Sequence, residues 1–218
     1  MITKVIQEYI EALIPDRDPR IVEIEEFAKE HGVPIMELVG IEALLQQLRI
    51  IQPQRILEVG TAIGYSAIRM AEAVPNASIV TIEKDTERFE QAVANIKKFE
   101  LSERITVLLG DANELTAEAE KHAPYDVVFI DAAKGQYQRF FENYGKMLKP
   151  KGVMISDNIL FKGYVADDSG VGTRRLASLI RKIRSYNEFL MHHEEYTTAI
   201  LPVGDGIAIS VKKDKEHR

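Results

Sequence analysis

The 218-residue chain contains no cysteine, which excludes disulfides and thiolate metal sites. It has no run of 18 apolar residues, so no transmembrane helix is expected. The opening Met1-Ile2-Thr3-Lys4-Val5-Ile6-Gln7-Glu8-Tyr9-Ile10 lacks the apolar core of a signal peptide. A cytoplasmic location is the resulting expectation. There is no internal repeat, low-complexity segment or long linker. A net charge of −6 argues against a surface that grips nucleic acid throughout, while leaving room for a local basic patch. What is present, 45% hydrophobic and 28% charged residues, is the composition of a soluble globular protein. The length suits one domain, 1–218, with residues 1–48 as a helical extension packed on the core.

The most informative stretch is Arg55-Ile56-Leu57-Glu58-Val59-Gly60-Thr61-Ala62-Ile63-Gly64-Tyr65-Ser66. An apolar run ends in an acid, then two glycines four apart, then a helix-compatible segment. That predicts a buried parallel strand turning tightly into a helix. The glycines let backbone pass close under a ligand, and the helix N-terminus offers free N–H groups. Gly60-x-x-x-Gly64 is not the G-x-G-x-x-G of dinucleotide dehydrogenases. A glycine turn used only for packing is the competing reading.

Periodicity and punctuation predict helices at 4–12, 20–30 and about 36–49, separated by Pro15, Pro19 and Pro34. Strands are expected at 55–59, 78–83, 106–109, 126–130 and 153–156, alternating with helices at 66–73, 86–99, 113–121 and 136–147. This alternation demands a parallel sheet covered on both faces. After a helix at about 174–186, segments 189–201 and 207–212 flank Pro202-Val203-Gly204-Asp205-Gly206, a hairpin signal.

In open α/β sheets ligands sit beyond the carboxyl ends of the strands. The second strand ends at Glu83, placed to accept both hydroxyls of a ribose. The third runs into Gly110-Asp111-Ala112, where an exocyclic amine of adenine can donate. Either acid can instead serve as a local helix cap. The fourth strand ends in Asp131-Ala132-Ala133-Lys134 and the fifth in Ser156-Asp157-Asn158. Asp131, Asp157 and Asn158 are hard oxygen ligands suited to Mg²⁺, Mn²⁺ or Ca²⁺. Lys134 can point into the same space, and a lysine beside a divalent cation suits proton abstraction. A helix cap and a turn are the alternatives for these two pairs.

Together these segments resemble the cation-dependent O-methyltransferases, the catechol and caffeoyl-CoA type, from about Pro34 to the C-terminus. The resemblance implies an α/β Rossmann-type S-adenosylmethionine-dependent methyltransferase fold. Its sheet is seven-stranded and mostly parallel, with a C-terminal antiparallel hairpin and extra N-terminal helices. It implies Mg²⁺ or Mn²⁺ on Asp131, Asp157 and Asn158, with Lys134 as the base that deprotonates the acceptor hydroxyl. Glu83 takes the ribose, Glu58, Gly60 and Ser66 surround the methionine part, Asp111 and Ala112 lie at the adenine end, and Asp131 also borders the cofactor. Met36 and Leu38 resemble the segment that closes over it, although Leu38-Val39-Gly40-Ile41-Glu42 departs from the usual acid-Gly-Gln ending.

More narrowly, the chain resembles a bacterial branch that methylates 5-hydroxyuridine at the tRNA wobble position. The opening 1–14 helix, the loop after Asp157 and the length fit. The 5-hydroxyl and 4-carbonyl oxygens of that base are vicinal and can chelate a cation as a catechol does. Arg174, Arg175, Arg181, Lys182 and Arg184 fall on one side of the 173–186 helix, opposite Leu176, Leu179, Ile180 and Ile183, and form a candidate RNA-contact face. Arg17 and Arg20 are weaker candidates. The resemblance also implies a homodimer, and the lack of a long apolar run leads to the expectation of no membrane contact. The competing functions are methylation of a small catechol-like compound, with Phe161 and Tyr164 as aromatic gatekeepers, and a non-catalytic binding protein on the same scaffold. An NAD-dependent dehydrogenase is disfavoured by the glycine spacing.

Overall fold

The computed structural model describes residues 4–214. Residues 1–3 of the expected opening helix therefore lie outside the described residues. Three helices come first: α1 (Lys4–Leu13), α2 (Pro19–His31) and α3 (Leu38–Ile51). Then follow β1 (Arg55–Val59), α4 (Tyr65–Ala73), β2 (Ser78–Glu83), α5 (Thr86–Lys98), β3 (Ile105–Leu109) and α6 (Thr116–Glu120). The second half comprises β4 (Tyr125–Ile130), α7 (Tyr137–Gly145), β5 (Leu148–Ser156), α8 (Arg174–Met191), β6 (Tyr196–Leu201) and β7 (Ile207–Lys212). The strands form one sheet in the order β3-β2-β1-β4-β5-β7-β6. β1 to β5 pair in parallel, and β7 pairs antiparallel with both β5 and β6.

The order reverses between β1 and β4, so a crevice opens beyond their carboxyl ends, where such sheets take ligands. Apolar side chains from alternate strand positions feed two cores. On one face Ile56, Ile79, Val127, Phe129 and Ile155 pack against α2 to α4. On the other, Leu57, Val80, Val128 and Met154 pack against the aromatic side of α7 and α8. α2 begins at a proline behind the Asp18 cap, whose side chain accepts the Arg20 N–H. Asp85 caps α5 through the Arg88 N–H, and Thr173 caps α8 through the Leu176 N–H. α2 and α3 bury Ile21, Ile24, Leu44, Leu45 and Leu48, whereas α1 buries none of its residues.

Several boundaries differ from the sequence expectation. α8 continues through Met191, so 189–195 is not strand and β6 starts only at Tyr196. The helical period carries on through Ile180, Ile183, Tyr186 and Leu190, all buried, and Asn187 donates to the Ile159 carbonyl at 2.8 Å. The expected 113–121 helix shrinks to Thr116–Glu120, because the Asp111 carbonyl takes the Glu114 and Leu115 N–H groups in a turn. The 136–147 helix is Tyr137–Gly145, preceded by a tight turn at Lys134–Gln136. β5 starts at Leu148 rather than 153, and its pairing with β4 shifts register between Leu148, opposite Tyr125, and Val153, opposite Val127. α3 begins at Leu38 and runs two residues past 49.

Candidate active site

The strand ends and the segment before α3 enclose a cavity of about 480 Å³. Of the residues singled out in the sequence, Met36, Gly60, Ser66, Glu83, Asp111, Ala112, Asp131, Lys134, Asp157 and Asn158 line it. Glu58 and Leu38 do not. Glu58 is fully buried beneath the wall, where its carboxylate accepts the hydroxyls of Ser66 and of Thr81, the latter at 2.5 Å. Thr81 in turn shares a 2.6 Å hydrogen bond with Thr61. Glu58 thus organises the glycine loop from below instead of meeting a ligand directly. Leu38 starts α3 and packs against the core below the sheet. The strand's two-residue alternation explains Glu58: its side chain points to the face covered by α4.

The loop after β1 is held in a conformation few residues adopt. Gly60 has φ 105°, Ala62 φ 47° and Gly64 φ 86°. Glu83 fixes it from β2, accepting the Ala62 N–H at 2.8 Å and the Lys84 and Asp85 N–H groups at 2.9 Å each. A carboxylate has about four acceptor positions, so Glu83 on the cavity wall retains capacity for a ligand hydroxyl. Asp111 accepts the Asn113 N–H at 2.8 Å, and that bond holds its carboxyl below the usual range. It stays ionised as an acceptor at the cavity edge. The Ala112 carbonyl is tied to the Tyr144 hydroxyl at 2.5 Å.

The other half of the cavity is the Asp131, Asp157 and Asn158 cluster. Burial pushes the Asp157 carboxyl well up, and the Asp131 charge pushes it further. Burial also raises Asp131, with the Lys134 ammonium opposing. A buried Asp157 and a half-buried Asp131, whose charge discourages ionisation of its neighbour, fit a site whose charge is completed by a cation. With Asn158 they form an all-oxygen donor set, which suits Mg²⁺, Mn²⁺ or Ca²⁺. Among the described residues no group of three or more His, Cys, Asp or Glu side chains could hold a metal ion. The set here is two carboxylates and an amide. Lys134 Nζ donates to Asn158 Oδ1, and Asn158 Nδ2 donates to Asp157 Oδ2 at 2.9 Å. Asn158 itself sits at φ 56°, a strained backbone at the end of β5. Lys134 Nζ also lies 5.9 Å from the Phe161 ring centroid, and Phe161 and Tyr164 lie 6.0 Å apart.

The wall also includes Tyr65, Arg88, Asn113, Gln136 and Phe140, which the sequence reading did not assign. Tyr65 lies inside the glycine-loop motif, between the second glycine and Ser66. The others follow strand ends at no fixed spacing and carry no local signal. On α8, Arg174, Arg175, Arg181 and Lys182 are exposed, and Lys182 packs beside Gly135 in the Lys134–Gln136 turn. Arg184 departs from the expected cationic face. It donates to the Val165 carbonyl at 2.7 Å and the Tyr164 carbonyl at 3.3 Å, and pairs with Asp168 at 2.9 Å.

Residues 15–213 match the O-methyltransferase family model. The chain is 28% identical to a catechol O-methyltransferase of Niastella koreensis, over 95% of this chain and 96% of that one. It is 28% identical to a caffeoyl-CoA O-methyltransferase of Stellaria longipes, over 90% and 84%. A Staphylococcus aureus structure named for the caffeoyl-CoA O-methyltransferases superposes with a TM-score of 0.91 at 33% identity, over 96% of this chain and all of that one. The O-methyltransferase of Bacillus cereus, in complex with SAH, superposes with a TM-score of 0.82 at 25% identity, over 96% and 97%. The chain belongs to the O-methyltransferase family and is an S-adenosylmethionine-dependent O-methyltransferase.

Proposed function

We propose that this enzyme uses a divalent cation on Asp131, Asp157 and Asn158 to methylate the 5-hydroxyl of 5-hydroxyuridine at the tRNA wobble position. One observation carries the RNA reading. The exposed cations Arg174, Arg175, Arg181 and Lys182 stand on the helix that packs against the Lys134–Gln136 turn, so a phosphate backbone on that face runs past the cavity mouth. The net negative charge of the rest of the chain confines such contact to this face.

Glu83 and Asp111 would bind the nucleoside end of S-adenosylmethionine by accepting hydrogen bonds from its hydroxyls and amine. Thr61, Ser66 and the free N–H groups at the start of α4 border the methionine end. When bound, the divalent cation would supply positive charge that eases ionisation of a hydroxyl with a vicinal oxygen. Lys134 Nζ, at the same cavity wall, would take that hydroxyl's proton as the neutral amine, after giving up its own ammonium proton to solvent. Phe161, beside Lys134, gives the acceptor ring an apolar face to lie against.

Mass spectrometry of tRNA nucleosides from a strain lacking the gene tests the acceptor. Accumulated 5-hydroxyuridine with loss of its methyl ether is the expected result, and an unchanged nucleoside profile would exclude it. Methylation of a small catechol is the second reading, favoured by the end-to-end match to the Niastella koreensis enzyme. It predicts turnover of a catechol that does not weaken when Arg174, Arg175 and Arg181 are replaced. Excess EDTA should abolish activity on either acceptor, with Mg²⁺ or Mn²⁺ restoring it. The homodimer is a further part of this reading. α1 exposes Val5, Ile6, Tyr9 and Leu13, an apolar face suited to a second copy, and light scattering at two concentrations measures it.

A further inference from the structure

Behind the cavity wall lies an ionic cluster around one buried arginine that none of the chemistry above uses. Arg69, in α4 and only 7% exposed, donates through Nη2 to Glu42 of α3 and through Nη1 to the Tyr65 hydroxyl at 3.1 Å. The same Nη1 lies 3.9 Å from Glu25 of α2. Tyr65 donates to Glu25 at 2.7 Å. Glu25 also receives two N–H groups of Arg17, at 3.0 and 2.9 Å. One guanidinium therefore ties both helices that flank residues 32–37 to the helix that starts at the cofactor loop.

Residues 32–37 are the stretch that matters. Pro34, Ile35 and Met36 form the cavity wall opposite the strand ends, and Tyr65 belongs to the same cavity. The segment has no helix or strand of its own, so its position follows from where α2 ends and α3 begins. Nothing in a bare α/β core requires Arg69 to be charged at this depth. A buried guanidinium is costly unless its donors are met, and here the Tyr65 phenol and the Glu42 carboxylate accept from it while Glu25, 3.9 Å away, adds a second counter-charge.

We infer that Arg69, bridging Glu25 and Glu42, is a positioning residue that holds the Pro34–Met36 wall over S-adenosylmethionine and sets how long the cofactor stays bound. The inference rests on the cofactor cavity and is independent of the acceptor. Loss of one bridge frees one end of the wall, which opens the cofactor's exit without touching Asp131 or Asp157. The expected signature is a faster dissociation rate with the association rate little changed.

Glu42→Gln is the first variant, because it keeps an acceptor for Arg69 and removes only the charge. Arg69→Lys is the second, keeping the charge but able to serve only one carboxylate well. For each, dissociation of S-adenosylmethionine is followed by stopped-flow fluorescence displacement, and Mn²⁺ affinity by electron paramagnetic resonance on the same samples. A roughly tenfold faster cofactor dissociation with Mn²⁺ affinity within twofold of the parent supports the inference. Unchanged cofactor dissociation in both variants overturns it, whatever happens to the melting temperature. Equal weakening of cofactor and Mn²⁺ overturns it too, since that reports general loosening. Absence of S-adenosylmethionine binding by the parent would instead refute the cavity assignment.

Discussion

Gly60 is pressed against the backbone of Asp131: a Cβ added to Gly60 would stand 2.1 Å from the Asp131 carbonyl oxygen. The loop after β1 and Asp131, the first carboxylate of the proposed cation site, are thus locked together through main chain. From the sequence, this glycine fits either close approach by a ligand or a turn needed only for packing. The neighbouring strand end already demands it, and so does its φ of 105°.

Gly60→Ala should therefore cost stability even without cofactor, on the order of 3 kcal/mol from overpacking and backbone strain together. Urea denaturation of the apoprotein measures it. A variant that unfolds at the parent's midpoint but no longer binds S-adenosylmethionine would return the glycine's role to the ligand.

The strand ends were legible because parallel strands deliver their last residues to one edge of the sheet. Glu83, Asp111, Asp131 and Asp157 could be gathered by locating where each apolar run stops. What could not be read was which way a side chain turns once there. Glu58 is one residue short of the strand end, and alternation sends it under the loop, to Ser66 and Thr81. Contacts between distant segments were equally silent. Nothing local marks Arg69 as the partner of Glu25 and Glu42, or Arg184 as the anchor of the loop at Tyr164 and Val165. β6 was misplaced because Phe189 and Leu190 satisfy both a strand and a helix pattern, and tertiary packing decided for the helix.

Glu58 gives a pH prediction. Burial raises its carboxyl from 4.5 to about 7, against the hydrogen bonds of Ser66 and Thr81. Between those pH values the folded state holds a proton that the unfolded chain has released. The favourable contribution is complete below about pH 4.5 and is lost as pH rises through 7. Glu58→Gln does not titrate, so its stability relative to the parent should grow from pH 5 to pH 8, by at most on the order of 3 kcal/mol. The amide has one acceptor oxygen where the carboxylate has two, a pH-independent loss of about 1 kcal/mol. Urea midpoints of both proteins at pH 5 and 8, without cofactor, test this. A difference that stays flat with pH would mean Glu58 is ionised throughout.

Asp131 and Asp157 carry the same sign of shift, which sets how cation binding depends on pH. Desolvation raises both carboxyls and the Asp131 charge raises Asp157 further, so protons held on the pair would compete with a cation there. Mg²⁺ should raise the melting temperature more at pH 8 than at pH 5, and Asp157→Asn should remove most of that difference. An equal Mg²⁺ effect at both pH values would place the cation elsewhere.

Glu83 is tested through the ribose it is placed to hold. Glu83→Gln should weaken S-adenosylhomocysteine by about 1.5–3 kcal/mol, the range for a charge-assisted hydrogen bond. Because Glu83 also fixes the Ala62, Lys84 and Asp85 N–H groups, part of any loss can arise from a loosened loop. A 2′,3′-dideoxy analogue separates the two. It lacks the hydroxyls, so the variant should bind it nearly as well as the parent does. An equal loss for both ligands would mean that Glu83 only shapes the loop.

The proposed role of Lys134 in removing the acceptor's proton can be tested directly. Its Nζ is bonded to Asn158 Oδ1, and its charge lowers the proton affinity of Asp131. Two roles follow from that placement: proton acceptor, or counter-charge for the carboxylates. As the base, Lys134→Ala should cut the single-turnover rate by about 10²–10⁴-fold at neutral pH and saturating cation. Part of the loss should return as pH rises, because the acceptor hydroxyl then ionises unaided. Cofactor affinity should hold, since Glu83, Asp111 and the glycine loop are untouched. Cation affinity should hold or tighten, because a positive charge has been removed from beside the site. As a counter-charge alone, the lysine's loss would leave the single-turnover rate near the parent's once cation is saturating, while the apoprotein lost stability through the unopposed Asp131–Asp157 repulsion. Rapid-quench rates across pH 6 to 9, beside Mn²⁺ titrations of the same variant, distinguish the two. An unchanged neutral-pH rate would remove Lys134 from proton transfer.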